Sequence, residues 1–212
     1  MTSILSAISD WVQSLIASAG YPGLWLVMVL ENLFPPIPSE IILPLAGYMT
    51  LKGHFTLAGV TAVGTLGSVV GALALYGLGW GLDESRIRHL LRNYGRYAML
   101  SEGDLDKALA WFNRYGQPTI FFARLVPIVR SLISVPAGLA RMSLPHFLAF
   151  TALGTGLWSF FLAWAGRTLG ANWWRVANFV SHYQDVVLVL IVMALLLFFA
   201  WRLKARIGHY RP

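Results

Sequence analysis

The chain has no cysteine among its 212 residues. Disulfides and thiolate metal sites are therefore excluded, and redox chemistry gives no reading of the compartment. Charge is scarce as well: Asp, Glu, Lys and Arg make up 12% of the residues, against about 25% in a soluble domain. Acidic residues are the scarcest, nine against sixteen basic ones, for a net charge of +7. The five histidines, His54, His89, His146, His182 and His209, are scattered along the chain. They form no ligand set, so no metal site, no cofactor and no catalytic residue is expected. What is abundant is apolar: 57% of the residues are hydrophobic, with a mean hydropathy of +0.64. A chain of this length and composition reads as a small multi-span membrane protein. In that class a basic excess marks loops kept in the cytoplasm, and nucleic acid is not an expected partner. The N-terminus has no basic segment ahead of its apolar residues, so no cleavable signal peptide is expected.

With so few charges, their positions carry the argument. Glu31-Asn32-Leu33-Phe34-Pro35-Pro36-Ile37-Pro38-Ser39-Glu40 places two carboxylates and three prolines inside an apolar run from about residue 21 to 51. Prolines remove backbone donors and break helices. Ionisable groups at membrane depth are costly and mark function. Arg124 to Arg130, with Pro127 between them, combines a break with charge of the opposite sign.

Segment lengths give the architecture. Residues 3–19 put Ile4, Ile8, Trp11, Leu15 and Ile16 at helical spacing, with Asp10, Gln13 and Ser14 mostly on another face. This predicts an interfacial amphipathic helix over 1–20; Asp10 near mid-bilayer argues against a spanning one. Residues 22–34 and 41–51 are apolar but reach only about 20 Å each, short of a ~30 Å hydrocarbon core. They predict a re-entrant hairpin broken at Pro35, Pro36 and Pro38. Residues 55–81 are long enough to span, so repeat 1 covers 21–81. The polar stretch 82–117 predicts two surface helices, the second starting at the capping box Ser101-Glu102-Gly103-Asp104 and running through Asn113. Residues 118–128 and 131–140 repeat the half-helix pattern, with Pro127, Pro136 and Gly138 as its breaks, and 145–166 span. Repeat 2 is therefore 118–168. After a polar stretch with Asn172, Arg175 and His182, a final span is expected over 185–203. Trp158, Trp164, Trp173 and Trp174 fit an aromatic belt, and a homodimer is compatible with them.

The fold class expected is thus an all-α integral membrane protein. It has two inverted repeats, each a re-entrant helical hairpin plus a transmembrane helix, flanked by the N-terminal amphipathic helix and a C-terminal transmembrane helix. Tracing sides makes the hairpins enter from opposite faces, the design in which broken helices meet near the midplane around a substrate site. One side collects eleven basic residues, from Arg86 to Arg211, and the other three, Lys52, Arg167 and Arg175. The basic side is cytoplasmic by the positive-inside rule, and with it the C-terminus.

At these residues the chain resembles the DedA family, also called the SNARE-associated or VTT-domain superfamily. The resemblance rests on Glu31-x-x-x-Pro35-x-x-Pro38-x-Glu40, on Phe121-Phe122-Ala123-Arg124-Leu125-Val126-Pro127-Ile128-Val129-Arg130, and on Pro136-Ala137-Gly138. It covers roughly residues 20–170. It implies a bacterial cytoplasmic-membrane protein of lipid translocation and envelope integrity. The substrate implied is undecaprenyl phosphate or phosphatidylethanolamine, and the Glu-Asn-Leu-Phe-Pro-Pro-Ile-Pro-Ser-Glu form looks closest to members linked to the former.

For a phosphate headgroup, Arg124 and Arg130 offer planar forks that stay charged and match phosphate oxygens. Glu31 and Glu40 have two readings. They pair statically with the arginines, or they take up and release protons, since burial raises a carboxyl pKa and a nearby arginine lowers it. Proton coupling is therefore an expectation without a cofactor. A proton- or ion-coupled small-solute transporter fits the same hairpins. An enzyme fits poorly: Ser143 and His146 superficially resemble a phosphatase Ser-x-x-His, but companion elements are absent.

Overall fold

The computed structural model describes residues 2–33, 39–82, 84–98, 101–127 and 129–208. The described residues are almost entirely helical, with no strand among them. Helix α1 (Thr2–Leu33) is broken at Gly20, whose φ of 62° and ψ of −132° only glycine adopts readily. Pro22 follows in the first turn of the second segment, where a missing N–H costs nothing. This break separates the N-terminal segment from the apolar one that follows. Helix α2 (Ser39–Met49) begins two residues earlier than the apolar pattern implies, so Glu40 lies in its first turn. Pro35, Pro36 and Pro38 lie outside the described residues. Gly53, at φ 79°, closes the turn after α2. Helix α3 (Leu57–Gly81) starts on a Thr56 cap whose hydroxyl accepts from Gly59 N at 3.0 Å.

Helices α4 (Glu84–Ala98) and α5 (Glu102–Ala123) follow. The Asp104 carboxylate accepts from the Ser101 backbone N–H at 2.9 Å, so α5 starts where the capping pattern predicts. It does not stop near Asn113. It runs unbroken to Ala123, so the surface helix and the first arm of the second broken segment are one element. Pro118 lacks an N–H to donate to the Arg114 carbonyl, and one residue on the Thr119 hydroxyl donates to Tyr115 O at 2.6 Å. Beyond the turn at Arg124–Pro127 come α6 (Val129–Leu132) and α7 (Ser134–Leu139). Pro136 and Gly138 therefore sit within α7 and do not break the chain; of the three, only Pro127 lies at a break.

Helix α8 (Leu144–Leu169) returns antiparallel to α3, and α9 (Trp174–Gly208) closes the chain. The polar stretch before the last apolar run is helical too, so α9 begins eleven residues before the expected span. Val176 and Val180, one turn apart and both buried, dock this first part into the apolar core that also holds Ala46 and Leu162.

Helices α3 and α8 are long and apolar enough to cross a membrane. Leu66, Leu78, Leu153, Leu157 and Phe161 stand exposed on them, as apolar side chains that face lipid would. The two broken segments cross over between these helices. α2 packs on α8: a Cβ on Gly47 would strike the Ala163 backbone, and one on Gly166 the Pro44 carbonyl. α7 packs on α3 in the same manner: Gly138 faces the Tyr76 carbonyl, and Gly79 faces that of Val135. Each crossing has its own apolar core, one around Ile16, Leu43 and Leu162 and the other around Tyr76, Ile120 and Phe147.

Candidate functional site

Both broken segments end about midway along a spanning helix. Asn32 lies against Gly71 of α3, and Arg124 against Gly154 of α8, each at a glycine that admits the close approach. All four charges singled out in the sequence are buried there: Glu31 at 3%, Glu40 at 3%, Arg124 at 1% and Arg130 at 6% exposure. Two cations and two anions make the centre formally neutral, which is the condition for burying it.

The two arginines are not equivalent. The Arg130 Nη2 donates to Glu31 Oε1 and to Ser39 Oγ at 2.5 Å, and lies 3.8 Å from Glu40 Oε1. It joins α6 to the end of α1 and the start of α2, so it holds both carboxylates. Arg124 meets hydroxyls instead. Its Nη2 donates to Ser134 Oγ at 2.8 Å and to Thr151 Oγ1 at 3.4 Å. Its guanidinium lies over the Phe147 ring, 5.8 Å from the centroid. Among the described residues no carboxylate is within ion-pair distance of it, and its Nε has no hydrogen-bond partner. The carboxylates are also left with free capacity: Glu31 Oε2, Glu40 Oε1 and the neighbouring Asn32 Oδ1 are buried without a hydrogen bond among the described residues.

The sequence pointed to the four charges but not to Ser39, Ser134, Thr151 or Phe147, which orient the arginines. Ser39 stands inside the proline motif, and the other hydroxyls are isolated in apolar runs. The only available signal was a lone hydroxyl on the face of a membrane helix. No group of three or more His, Asp or Glu that would hold a metal occurs among the described residues. The Ser143 hydroxyl and His146 Nδ1 lie 2.6 Å apart at the exposed start of α8, in a pocket of about 280 Å³ whose lining includes none of the four charges.

A family model for the VTT domain matches residues 37–168. The chain belongs to the VTT-domain (DedA) family. Its match takes in Glu40, Arg124 and Arg130 and begins six residues after Glu31. Among curated relatives, an alkaline phosphatase-like protein of Lactococcus lactis subsp. cremoris is 42% identical over 91% of this chain and 92% of its own. Undecaprenyl phosphate transporter A of Staphylococcus aureus is 33% identical over 88% and 92%, and its namesake in Bacillus subtilis 31% over 98% of each. No solved structure matches the chain. As a VTT-domain chain with two spanning-length apolar helices, this is a membrane protein, and relatives named as transporters share most of its length.

Proposed function

We propose that this VTT-domain protein carries a phosphate-headgroup lipid across the bacterial cytoplasmic membrane, and that the lipid is undecaprenyl phosphate. The observation that carries the reading is the asymmetry of the arginines. Arg130 is neutralised by Glu31 and Glu40, whereas Arg124 is a buried cation held by hydroxyls, with donor capacity left over. A cation in that state is stabilised by an anion brought to it, and a phosphate offers the matching oxygens. The transporters named for undecaprenyl phosphate support the choice of lipid.

In this reading the two broken segments are re-entrant hairpins and the protein is an inverted repeat. The support is the reciprocal packing of α2 on α8 and α7 on α3, each through two glycines. Hairpin 1 opens outward and hairpin 2 inward, with the C-terminus in the cytoplasm, following the excess of basic residues on one side. Glu31 and Glu40 take up protons when phosphate draws Arg130 away from them, which links transport to the proton gradient.

The test is headgroup-resolved lipid translocation in proteoliposomes, with and without a pH gradient. The expected result is faster crossing of undecaprenyl phosphate than of phosphatidylethanolamine, with a dependence on the gradient. Arg124→Gln is expected to lower the rate about tenfold or more while the protein stays monodisperse. Wild-type protein that moves neither lipid would overturn the reading. Release of free phosphate from the lipid would instead place the chain with an enzyme, as the name of the Lactococcus relative has it.

A further inference from the structure

From Thr151, which accepts from Arg124, runs a line of buried hydroxyls whose further members the four-charge centre does not use. On α8, Thr151, Thr155 and Ser159 are spaced by four and form one face. Ser68 of α3 joins them through the helix register. Gly64 of α3 lies against Ser159, and Tyr76 stacks on Phe147 at 4.6 Å between ring centroids. Each step of four along α3 is thus matched by four back along α8, which brings Ser68 level with Thr155 and Ala72 level with Thr151.

The bonding of these hydroxyls is unusual. A buried hydroxyl on a helix normally turns back to the carbonyl one turn earlier. Half-buried Thr61 and Thr65 on α3 do so, at 2.9 and 2.7 Å. Ser68, Thr155 and Ser159, at 1%, 5% and 0% exposure, have no such bond and no other partner among the described residues. Trp158 Nε1, on the same side of α8, is likewise buried and unpartnered, as is Arg124 Nε. Every one of these groups can donate a hydrogen bond. The unpartnered acceptors, Glu31 Oε2, Glu40 Oε1 and Asn32 Oδ1, all belong to the other broken segment. The unpartnered hydroxyls thus lie along α3 and α8, and the unpartnered carboxylate and amide oxygens on α1 and α2.

We propose that Thr151, Thr155, Ser159, Ser68 and Trp158 form a donor track along which the anionic headgroup moves away from Arg124. The track deepens the reading of this chain as a phosphate-lipid carrier and rests on it. Four residues of helix advance about 6 Å, so Thr151, Thr155 and Ser159 provide three stations from Arg124 toward the far end of α8. At Ser159 the track is closed by Leu43 of α2, which lies against Gly64 beside it. Leaving the track therefore requires α2 to part from α8 where Gly47 and Gly166 now hold them together.

Two measurements test the track. The first uses the natural absence of cysteine. Single Thr155→Cys and Ser159→Cys proteins in liposomes are treated with anionic and cationic methanethiosulfonates, with lipid-facing Leu157→Cys as the control. The expected result is several-fold faster modification by the anionic reagent at 155 and 159 than at 157, a preference that Arg124→Gln removes, and slowing by undecaprenyl phosphate. This readout does not need transport, so a failure of the carrier reading and a failure of the track are told apart. The second is the Thr155→Val, Ser159→Ala double variant. Removing unpartnered buried hydroxyls leaves stability unchanged or raised, so a translocation rate lowered about tenfold would not be a folding defect. Inert cysteines, equal reaction with the cationic reagent, or a double variant that carries lipid at the wild-type rate would each overturn the track.

Discussion

Two clusters in this protein use the same side chains in opposite surroundings. On the periphery, Arg88 is bonded to Glu84 at 2.9 Å through Nε and lies 3.5 Å from Glu102, and Arg92 reaches Glu102 at 2.6 Å, tying α4 to α5. At the centre, Arg130 gathers Glu31, Glu40 and Ser39 from two other elements. The peripheral cluster has water to compensate any partner it loses, and exposed ion pairs contribute little. The central cluster has no such reserve, and every group depends on its neighbours. Yet the centre is the one with unspent bonding capacity: Arg124 Nε, Glu31 Oε2 and Glu40 Oε1. Under the proposed function, these are the groups that a charged headgroup would meet.

The comparison breaks most sharply at Arg130. Arg130→Ala leaves Glu31 and Glu40 buried without their cation, and loss of one partner of a buried pair costs about 3–5 kcal/mol. The expected outcome is a large drop in melting temperature in detergent, or failure to accumulate in the membrane. Glu31→Gln combined with Arg130→Gln removes a charge of each sign and is expected to recover part of that loss. An Arg130→Ala protein as stable as wild type would mean that the centre does not hold the two broken segments together.

The next test concerns the two helix crossings. Gly47→Val and Gly138→Val each drive a side chain into facing backbone, at Ala163 and Tyr76. Overpacking of this kind costs about 1–3 kcal/mol. Similar losses in thermal stability at both positions would sharpen the correspondence between the two halves; a loss at one alone would break it. Gly77, also on α3, has nothing near its Cβ position, and Gly77→Ala is expected to stabilise by up to about 1 kcal/mol through helix propensity.

These contrasts were legible in the sequence to different depths. The four charges stood out because charge is rare in this chain, and the structure brings Glu31, Glu40 and Arg130 into contact. The different states of the arginines were not legible: Arg124 and Arg130 lie in the same short motif, and only three-dimensional neighbours separate them. Nothing in the sequence pairs Gly47 with Ala163 or Gly138 with Tyr76, since contact between helices leaves no local pattern. Helix ends were misjudged where a length rule met a proline or a polar run. Pro118 stands inside α5, and the polar face of early α9 reads as a loop until Val176 and Val180 are seen to dock.

The smallest effect is expected at the periphery, where pH sharpens the comparison. Arg92, and less strongly Arg88, hold the Glu102 carboxyl below its usual range, which is near 4.3. A carboxyl whose folded-state pKa is lowered adds stability above its unfolded value, and that stability is lost as pH falls through the folded value. The α4–α5 contact is therefore expected to weaken only in acid, below the ordinary carboxylate range, and also in high salt, since these charges are exposed. Glu102→Gln should abolish that part of the acid response with little change in melting temperature at neutral pH. Lipid translocation at neutral pH should be unaffected, because the network touches neither Arg124 nor Arg130. If Glu102→Gln slowed translocation at neutral pH, the two clusters would be coupled through the continuous α5, which joins Glu102 at its first turn to Arg124 just past its last.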